Sequence, residues 1–317
     1  MIGWMVARCV AWLVVAIAGS VLITQALSWP GTRTIAIFQS LTPYLALLIA
    51  PVAVVALLRR HLWMALVSAL IGIGALVLAV PLVFPPGPPA AADRAAGVRI
   101  ASLNLLYTNQ ASNLQRVADD LGALDPDVIV FTEYTKEHQQ VLQASALAED
   151  YEYRTDRSEP GGGGVAIWSK EAVVVAAQQV AMEDSLDLTV DGPDGRVRVV
   201  AVHPPTPITD FDAWRNDLAQ IGEVGRRGDT PTVVIGDFNA SFWHPSFRAL
   251  LDDGFTDAHI AAGKGFSTSW PTNRPYPPFV RLDHALTTDA LVSTDVEDFD
   301  IAGSDHRGLI VTVAPAR

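Results

Sequence analysis

The chain has 317 residues, a formal net charge of −12 and one cysteine, Cys9. One cysteine excludes an intramolecular disulfide framework, and the acidic balance argues against a basic nucleic-acid-binding module. The charge is unevenly spread. Residues 1–84 hold no Asp or Glu and four arginines, whereas all 34 acidic residues and the other 18 of the 22 Lys and Arg follow, which gives about +4 and about −16 for the two parts.

Three apolar stretches lead the chain, at about 4–27, 35–58 and 62–84. Each exceeds the roughly 20 residues that cross a ~30 Å hydrocarbon core, so each is expected to be a transmembrane helix. The polar breaks at 28–34 and 59–61 read as interfacial turns, with Trp4, Trp29, Trp63 and Phe84 near the ends as an aromatic belt. Arg8, Arg59 and Arg60 on one side, against Arg33 on the other, orient the N-terminus to the cytoplasm, and three crossings then deliver the polar part outside. A cleaved signal peptide is disfavoured by the length of the first run and its single charge, Arg8. Cys9, inside an apolar run, is expected to be a buried small side chain. Pro43, Pro51 and Pro81 are expected as tolerated kinks. Residues 85–97, rich in Pro and Ala, read as a semi-rigid spacer. The expected organisation is a three-helix anchor over 1–84, a linker over 85–97 and a polar domain over 98–317.

Within the polar domain, short β-branched runs predict strands at 98–103, 128–132, 165–168, 186–190, 197–202, 232–235, 282–286 and 309–313. Apolar residues at helical spacing predict helices at 113–124, 136–148, 211–227 and 245–251. The class is α+β, with sheets covered by helices. Polar residues stand where these strands end or begin: Asn104, Glu133, His203, Asp237 and Asn239, Asp283, and Asp305 with His306. Singly, such residues most often make turns. Together, several carboxylates at one sheet end would repel unless a cation neutralised them, and oxygen donors suit Mg²⁺, Mn²⁺ or Ca²⁺. A histidine beside such a site can move a proton near neutral pH.

The segments Ser102-Leu103-Asn104, Thr132-Glu133, Gly164 to Lys170, His203-Pro204, Gly236-Asp237-Phe238-Asn239-Ala240, Leu282-Asp283-His284 and Gly303-Ser304-Asp305-His306-Arg307 occur in one order. This set resembles the endonuclease/exonuclease/phosphatase superfamily over about 98–315. The resemblance implies a four-layer α/β/β/α sandwich with the site at one end. It implies Glu133 as main metal ligand, with Asn104 and Asp305 as metal or metal-water ligands. It further implies Asp237 as the residue that positions or deprotonates water, Asn239 and His203 on the phosphate, and His306 as catalytic histidine oriented by Asp283. The glycine run Gly161 to Gly164 departs from the more usual bulkier pattern, and is expected to be a tight turn with close backbone approach rather than a substrate gate.

The superfamily acts on many phosphoesters, so the fold does not fix the substrate. An acidic domain on a short tether favours membrane lipids as partners and a lipid-linked phosphate as substrate, over nucleic acid. The aromatic loops 241–245 and 270–279 are expected as loop packing, the alternative being a lipid-facing rim with Arg274, Lys264 or Arg281 on a phosphate. Three spans followed by such a domain also resemble membrane proteins linked to resistance against glycopeptide antibiotics such as teicoplanin, which implies hydrolysis of a polyprenyl pyrophosphate. The alternatives are an extracytoplasmic nuclease, a phospholipase C or sphingomyelinase-like phosphodiesterase, and a non-catalytic membrane binding protein. No protein partner can be inferred from the sequence.

Overall fold

In the computed structural model, which describes residues 2–85, 97–175, 182–193, 195–227 and 231–316, the three expected spans become four helices. These are α1 (Ile2–Ala26), α2 (Arg33–Ser40), α3 (Thr42–Leu58) and α4 (Leu62–Val83). Among the described residues, α1 and α4 are each long and apolar enough to cross a membrane, and a third span exists only if α2 and α3, bent by 69° to one another, count as one. The continuous helix expected over 35–58 is therefore corrected. The break falls where Pro43 occupies the first turn of α3 and cannot donate to a preceding carbonyl. The Thr42 hydroxyl instead donates to Gln39 O at 2.6 Å, which caps the end of α2. Gln39 is itself buried, and its Nε2 donates to Thr24 Oγ1 and Trp29 O at 3.0 and 3.1 Å. The polar residues that interrupt this stretch thus fold α2 back onto the end of α1. Helix α3 alone is ~25 Å long, short of a ~30 Å core. Cys9 is exposed on α1 rather than buried, because among the described residues no other helix covers that face, where residues 3–10 are all exposed. Most of the spacer, 86–96, lies outside the described residues.

The polar domain continues with β1 (Val98–Asn104), α5 (Ala111–Leu124), β2 (Val128–Thr132), α6 (Lys136–Gln143), α7 (Leu147–Asp150), β3 (Tyr153–Arg157), β4 (Val165–Ser169), β5 (Val173–Val175), β6 (Ser185–Gly192) and β7 (Gly195–Val202). Then come α8 (Phe211–Arg227), β8 (Thr232–Asp237), α9 (Pro245–Asp252), β9 (Phe255–Asp257), α10 (Ala258–Ala261), β10 (Asp283–Thr288), β11 (Leu291–Asp300) and β12 (Arg307–Pro315). They form two six-stranded sheets, in the orders β11-β12-β1-β2-β4-β3 and β5-β6-β7-β8-β10-β9. The helix expected over 136–148 is two pieces, α6 and α7. The Ser145 hydroxyl donates to Leu142 O at 2.6 Å and caps the first piece.

Strand alternation sorts the side chains into layers. Ile100, Val130, Ile167, Val199, Ile235 and Val311 point between the sheets and fuse into the central core. Ala101, Leu103, Ile129, Phe131 and Trp168 point the other way and pack under α5, α6 and α7. Val200, Val202 and Val234 do the same under α8 and α9. The α/β/β/α sandwich expected from the motifs is therefore present. The outer cluster of the second sheet does not end at α9, because Ala79 and Leu82 of α4 join it beside Phe242, Trp243 and Ile260.

Polar bonds reinforce that junction. Gln25 at the end of α1 donates to Thr42 Oγ1 (3.1 Å) and Trp243 O (2.7 Å), while its Oε1 accepts from Arg248 Nη2 (2.7 Å). His244 Nε2 lies 3.0 Å from Ala36 O, Arg33 donates to Thr209 O, and Tyr44 OH donates to Phe279 O at 2.8 Å. The loop 241–245 is accordingly packed, as expected, with α1, α2 and α4 as its cover.

Candidate active site

Two parallel strand pairs set the site. Asn104 of β1 is in register with Thr132 of β2, which places Glu133 one residue beyond the strand end. Val202 of β7 is in register with Gly236 of β8, which sets His203 beside Asp237. Asp283 of β10 then lies directly opposite Asp237. Alternation turns Asp283 toward this end of the sandwich and its neighbour His284 away, where His284 bonds Asp257 (2.7 Å) and Ala240 O (3.0 Å).

Two of these residues hold left-handed backbone conformations, Glu133 at φ 53° and Asn239 at φ 47°. Each costs on the order of 1–3 kcal/mol for a residue with a Cβ, and at each the turn aims the side chain back over the strand ends. Glu133 is fixed by Asn104 Nδ2 on Oε1 (3.1 Å) and the Tyr107 N–H on Oε2 (2.8 Å). Asn104 Nδ2 also reaches Asp237 Oδ2 at 2.9 Å, so one amide holds two carboxylates together. Its Oδ1 accepts the Leu106 N–H at 3.0 Å, which fixes the orientation of the amide.

Asp237 is the hub. It lies 3.7 Å from His306 Nε2 and 3.8 Å from His203 Nε2, and its Oδ1 accepts the Asn239 N–H at 2.8 Å. Burial raises its pKa, the Asp283 charge adds to the rise, and the His306 and His203 rings oppose it. His306 Nδ1 bonds Asp283 Oδ2 at 2.8 Å. Burial works against a charge on that ring, but Asp283 and Asp237 outweigh it and raise the pKa to about 10, so the imidazolium persists at neutral pH. His306 Nε2 also lies 4.0 Å from Asp305 Oδ1. Asn239 Nδ2 donates to Pro204 O at 3.0 Å, fixing it beside His203, whose buried Nδ1 has no protein partner among the described residues.

All eight residues singled out in the sequence thus meet at one end of the sandwich. Sequence reasoning missed three supports. Trp270 Nε1 donates to Asp305 Oδ2 at 3.1 Å. The Ser304 hydroxyl bridges Asn104 O and the His306 N–H, and Ser269 Oγ accepts the Asp283 N–H. Ser304 sits inside the Ser-Asp-His segment and could have been found there, Trp270 opens the aromatic loop expected as packing, and Ser269 carried no signal. Two of the three cations considered for a phosphate are committed elsewhere: Arg281 forks onto Asp298 at 2.9 and 2.7 Å, and Lys264 bonds Val296 O. The close backbone approach expected of the glycine run is met at Gly164 (φ +87°), where a Cβ would lie 2.2 Å from Tyr134 O, whereas Gly161 and Gly162 have open space for a Cβ and line the cleft over the site with Gly163.

Asp237, Asp283 and His306 offer ligand atoms within 4.8 Å of one another, with Asp283 Oδ2 and His306 Nδ1 already bonded to each other. Two further carboxylates border this group: Glu133, joined to Asp237 through the Asn104 amide N–H groups, and Asp305, 4.0 Å from His306 Nε2. Oxygen donors of this kind suit a divalent ion such as Mg²⁺ or Ca²⁺, and Asp237, whose pKa is raised by burial above all and further by the Asp283 charge, is a carboxylate that a cation would help to keep ionised. The cleft over these groups has a volume of about 890 Å³, and its far wall is α2, through Ala36, Ile37 and Ser40.

No protein of curated function matches the chain in sequence. Solved structures match its fold at low identity. The structure of D. rerio TDP2 complexed with single strand DNA product aligns at a TM-score of 0.57 and 16% identity, covering 68% of this chain and 98% of that one. An AP endonuclease from Archaeoglobus fulgidus aligns at 0.54 and 17%, with the same coverages. The 3′ phosphatase NExo from Neisseria, bound to product DNA hairpin, aligns at 0.52 and 18%, again over 68% and 98%. The family model described as Endonuclease/Exonuclease/phosphatase family spans residues 101–306, from β1 to the histidine paired with Asp283, and the chain belongs to that family.

Proposed function

We propose that this chain is a membrane-anchored, divalent-metal-dependent phosphoesterase whose substrate is a phosphate or pyrophosphate carried by a membrane lipid. The observation that carries the reading is the cleft itself. The wall facing Asp237 and His306 is α2, a helix that leads directly into α3 and the apolar bundle, so a phosphate bound there lies beside the bilayer. The acidic polar part, at about −16, adds repulsion toward a nucleic-acid backbone. Arg8, Arg59 and Arg60 lie at the ends of the helices away from the catalytic domain, and Arg33 lies on its side, which supports an extracytoplasmic catalytic domain. Among lipid phosphates we favour a polyprenyl pyrophosphate, on the resemblance of the layout to glycopeptide-resistance membrane proteins. Two structural neighbours are bound to product DNA, which makes a nuclease the competing reading.

Each residue has a defined task in this reading. Glu133, Asp305 and Asn104 hold Mg²⁺, or Mn²⁺ or Ca²⁺, and the ion supplies Lewis-acid stabilisation of charge on the phosphate oxygens. Asp237, a buried carboxylate of raised basicity, orients the attacking water and accepts its proton. The His306 cation, held by Asp283, faces the charge that builds on the phosphate, and Asn239 and His203 position the same group. Preorganisation by these short bonds means that little rearrangement accompanies the reaction.

The test compares full-length protein on polyprenyl pyrophosphate, phospholipids and plasmid DNA, with Mg²⁺ or with EDTA. Metal-dependent phosphate release from the lipid is expected. His306→Ala and Asp237→Asn should each lower the rate at least ~100-fold. DNA cutting without lipid-phosphate release would sink this reading.

A further inference from the structure

A second cavity, of about 510 Å³, lies between the apolar helices and the catalytic domain. Leu47 and Ala50 of α3 and Gly72 and Leu76 of α4 line one side, and Phe242 and Phe266 of the catalytic domain line the other. Its volume falls within the ~300–1,000 Å³ typical of small-molecule sites. We infer that this cavity binds the hydrocarbon chain of the substrate lipid, so that the helices form half of the substrate site as well as the anchor. The inference rests on the lipid-phosphate reading of the catalytic cleft.

Three observations point to that occupant. First, one wall belongs to α4, a helix long and apolar enough to cross a membrane, so a ligand reaches the cavity from hydrocarbon rather than from water. Second, the carboxylate and the guanidinium at its rim are paired within the protein, Asp257 with His284 and Arg281 with Asp298, and His259 bonds Asp298 through Nε2 while its Nδ1 has no protein partner among the described residues. What they leave is mostly apolar surface, which selects a chain rather than a head group. Third, the cavity and the catalytic cleft share Phe279 and Val280. Tyr44, which lines the second cavity, holds Phe279 in place there: its OH donates to Phe279 O, and the two rings meet edge to face at 6.1 Å. Phe279 in turn packs against Trp270, at 6.1 Å, whose indole N–H holds Asp305. A lipid lying across Phe279 and Val280 has its phosphate at the catalytic residues and its chain among α3 and α4.

Gly72 gives the test. A Cβ added there meets no atom within 4 Å, so Gly72→Leu fills the cavity without disturbing the helix, and Ala50→Phe does so from α3. Full-length protein in phosphatidylcholine nanodiscs is assayed on a long polyprenyl pyrophosphate and on dimethylallyl pyrophosphate, which has too short a chain to pass Phe279. Both variants should lower the ratio of long-chain to short-chain kcat/KM by about tenfold, the effect of displacing about two buried methylene groups. Gly122→Leu, on α5 and equally open, should leave the ratio unchanged. In parallel, a polyprenyl phosphate with a photoreactive group near the end of its chain is cross-linked to His306→Ala protein. Adducts on residues 72–79 or 242–243 are expected. An unchanged ratio in both cavity variants, or adducts confined to α1, overturns the inference. Adducts in the cavity with no hydrolysis of any lipid phosphate would instead overturn the reaction and leave the chain site standing.

Discussion

Protonating His244 should release α2 from the catalytic domain. The ring is buried, edge-on to Trp214 at 5.2 Å. Its Nδ1 accepts the Ser241 N–H at 2.8 Å and its Nε2–H donates to the Ala36 carbonyl at 3.0 Å. The neutral imidazole uses both nitrogens, and a second proton would confront the Ser241 N–H. Burial above all, joined by the nearby Arg248 charge, pushes the pKa from 6.5 down to about 4, against the pull of the Ala36 carbonyl. With α2 undocked the ring regains solvent and its ordinary pKa, so between about pH 6.5 and pH 4 the undocked state binds the extra proton. Docking is therefore fully favoured above about pH 6.5 and weakens as pH falls to about 4. The difference of about 2.5 units corresponds to ~3 kcal/mol, or ~100-fold in the docking equilibrium. Hydrogen-exchange protection factors of the α2 amides, in full-length protein in nanodiscs at pH 7 and pH 4, measure it directly. His244→Gln keeps a donor for Ala36 O without titrating, and should cut the pH response to less than about tenfold. An equal pH response in the two proteins would refute the assignment to His244.

Four further outcomes are expected. Asp283→Asn should lower kcat by ~10²–10⁴, with little change in Tm, because His306 loses the carboxylate that orients it and stabilises its charge. EDTA should abolish phosphate release and Mg²⁺ restore it, while saturating Mg²⁺ at about 100 Kd should add about 2.7 kcal/mol to stability by calorimetry and fail to do so in Glu133→Gln. Asp298 is held at a pKa of about 2, its burial outweighed by the His259 and Arg281 bonds. The bonds to that carboxylate should contribute ~2 kcal/mol above about pH 4 and be lost as pH falls toward 2, a slope that Asp298→Asn removes from the acid-denaturation curve. Gly164→Ala should cost more than about 2 kcal/mol, since it adds left-handed strain to a clash with Tyr134 O, whereas Gly162→Ala, where a Cβ meets open space, should cost less than about 1 kcal/mol.

The strands that the sequence announces are the interior ones. Runs such as Val128–Thr132 and Thr232–Asp237 are buried on both faces, so they read as unbroken apolar segments. The strands it conceals, β3, β5, β9 and β11, are the four edges of the two sheets. Tyr153–Arg157 and Leu291–Asp300 carry charge along an open side, which is how edges avoid pairing with other chains and also why they resemble loops. The site residues were legible because a strand end needs no acid or amide for its fold, so six such residue groups in order stand out. Their supports were not, since Ser269 and Trp270 come from a loop whose path depends on the finished fold. The break at Leu41 was hidden because Ile35, Ile37 and Phe38 run on into the apolar residues of α3, while the geometry there is set by Gln39, Thr42 and Pro43.

The junction between Gln25, Arg248 and Trp243 bears on how the protein can be taken apart. A cut in the proline-rich segment would free a catalytic domain in name only. Phe242, Trp243 and Ile260, buried with Ala79 and Leu82 of α4, would become a greasy scar. Arg248, now largely enclosed, would lose its bond to Gln25 and keep the one to Phe242 O. Shedding by a protease should therefore yield a product that clings to detergent or to itself, and soluble truncations beginning near residue 98 should be judged by their colloidal behaviour before their activity.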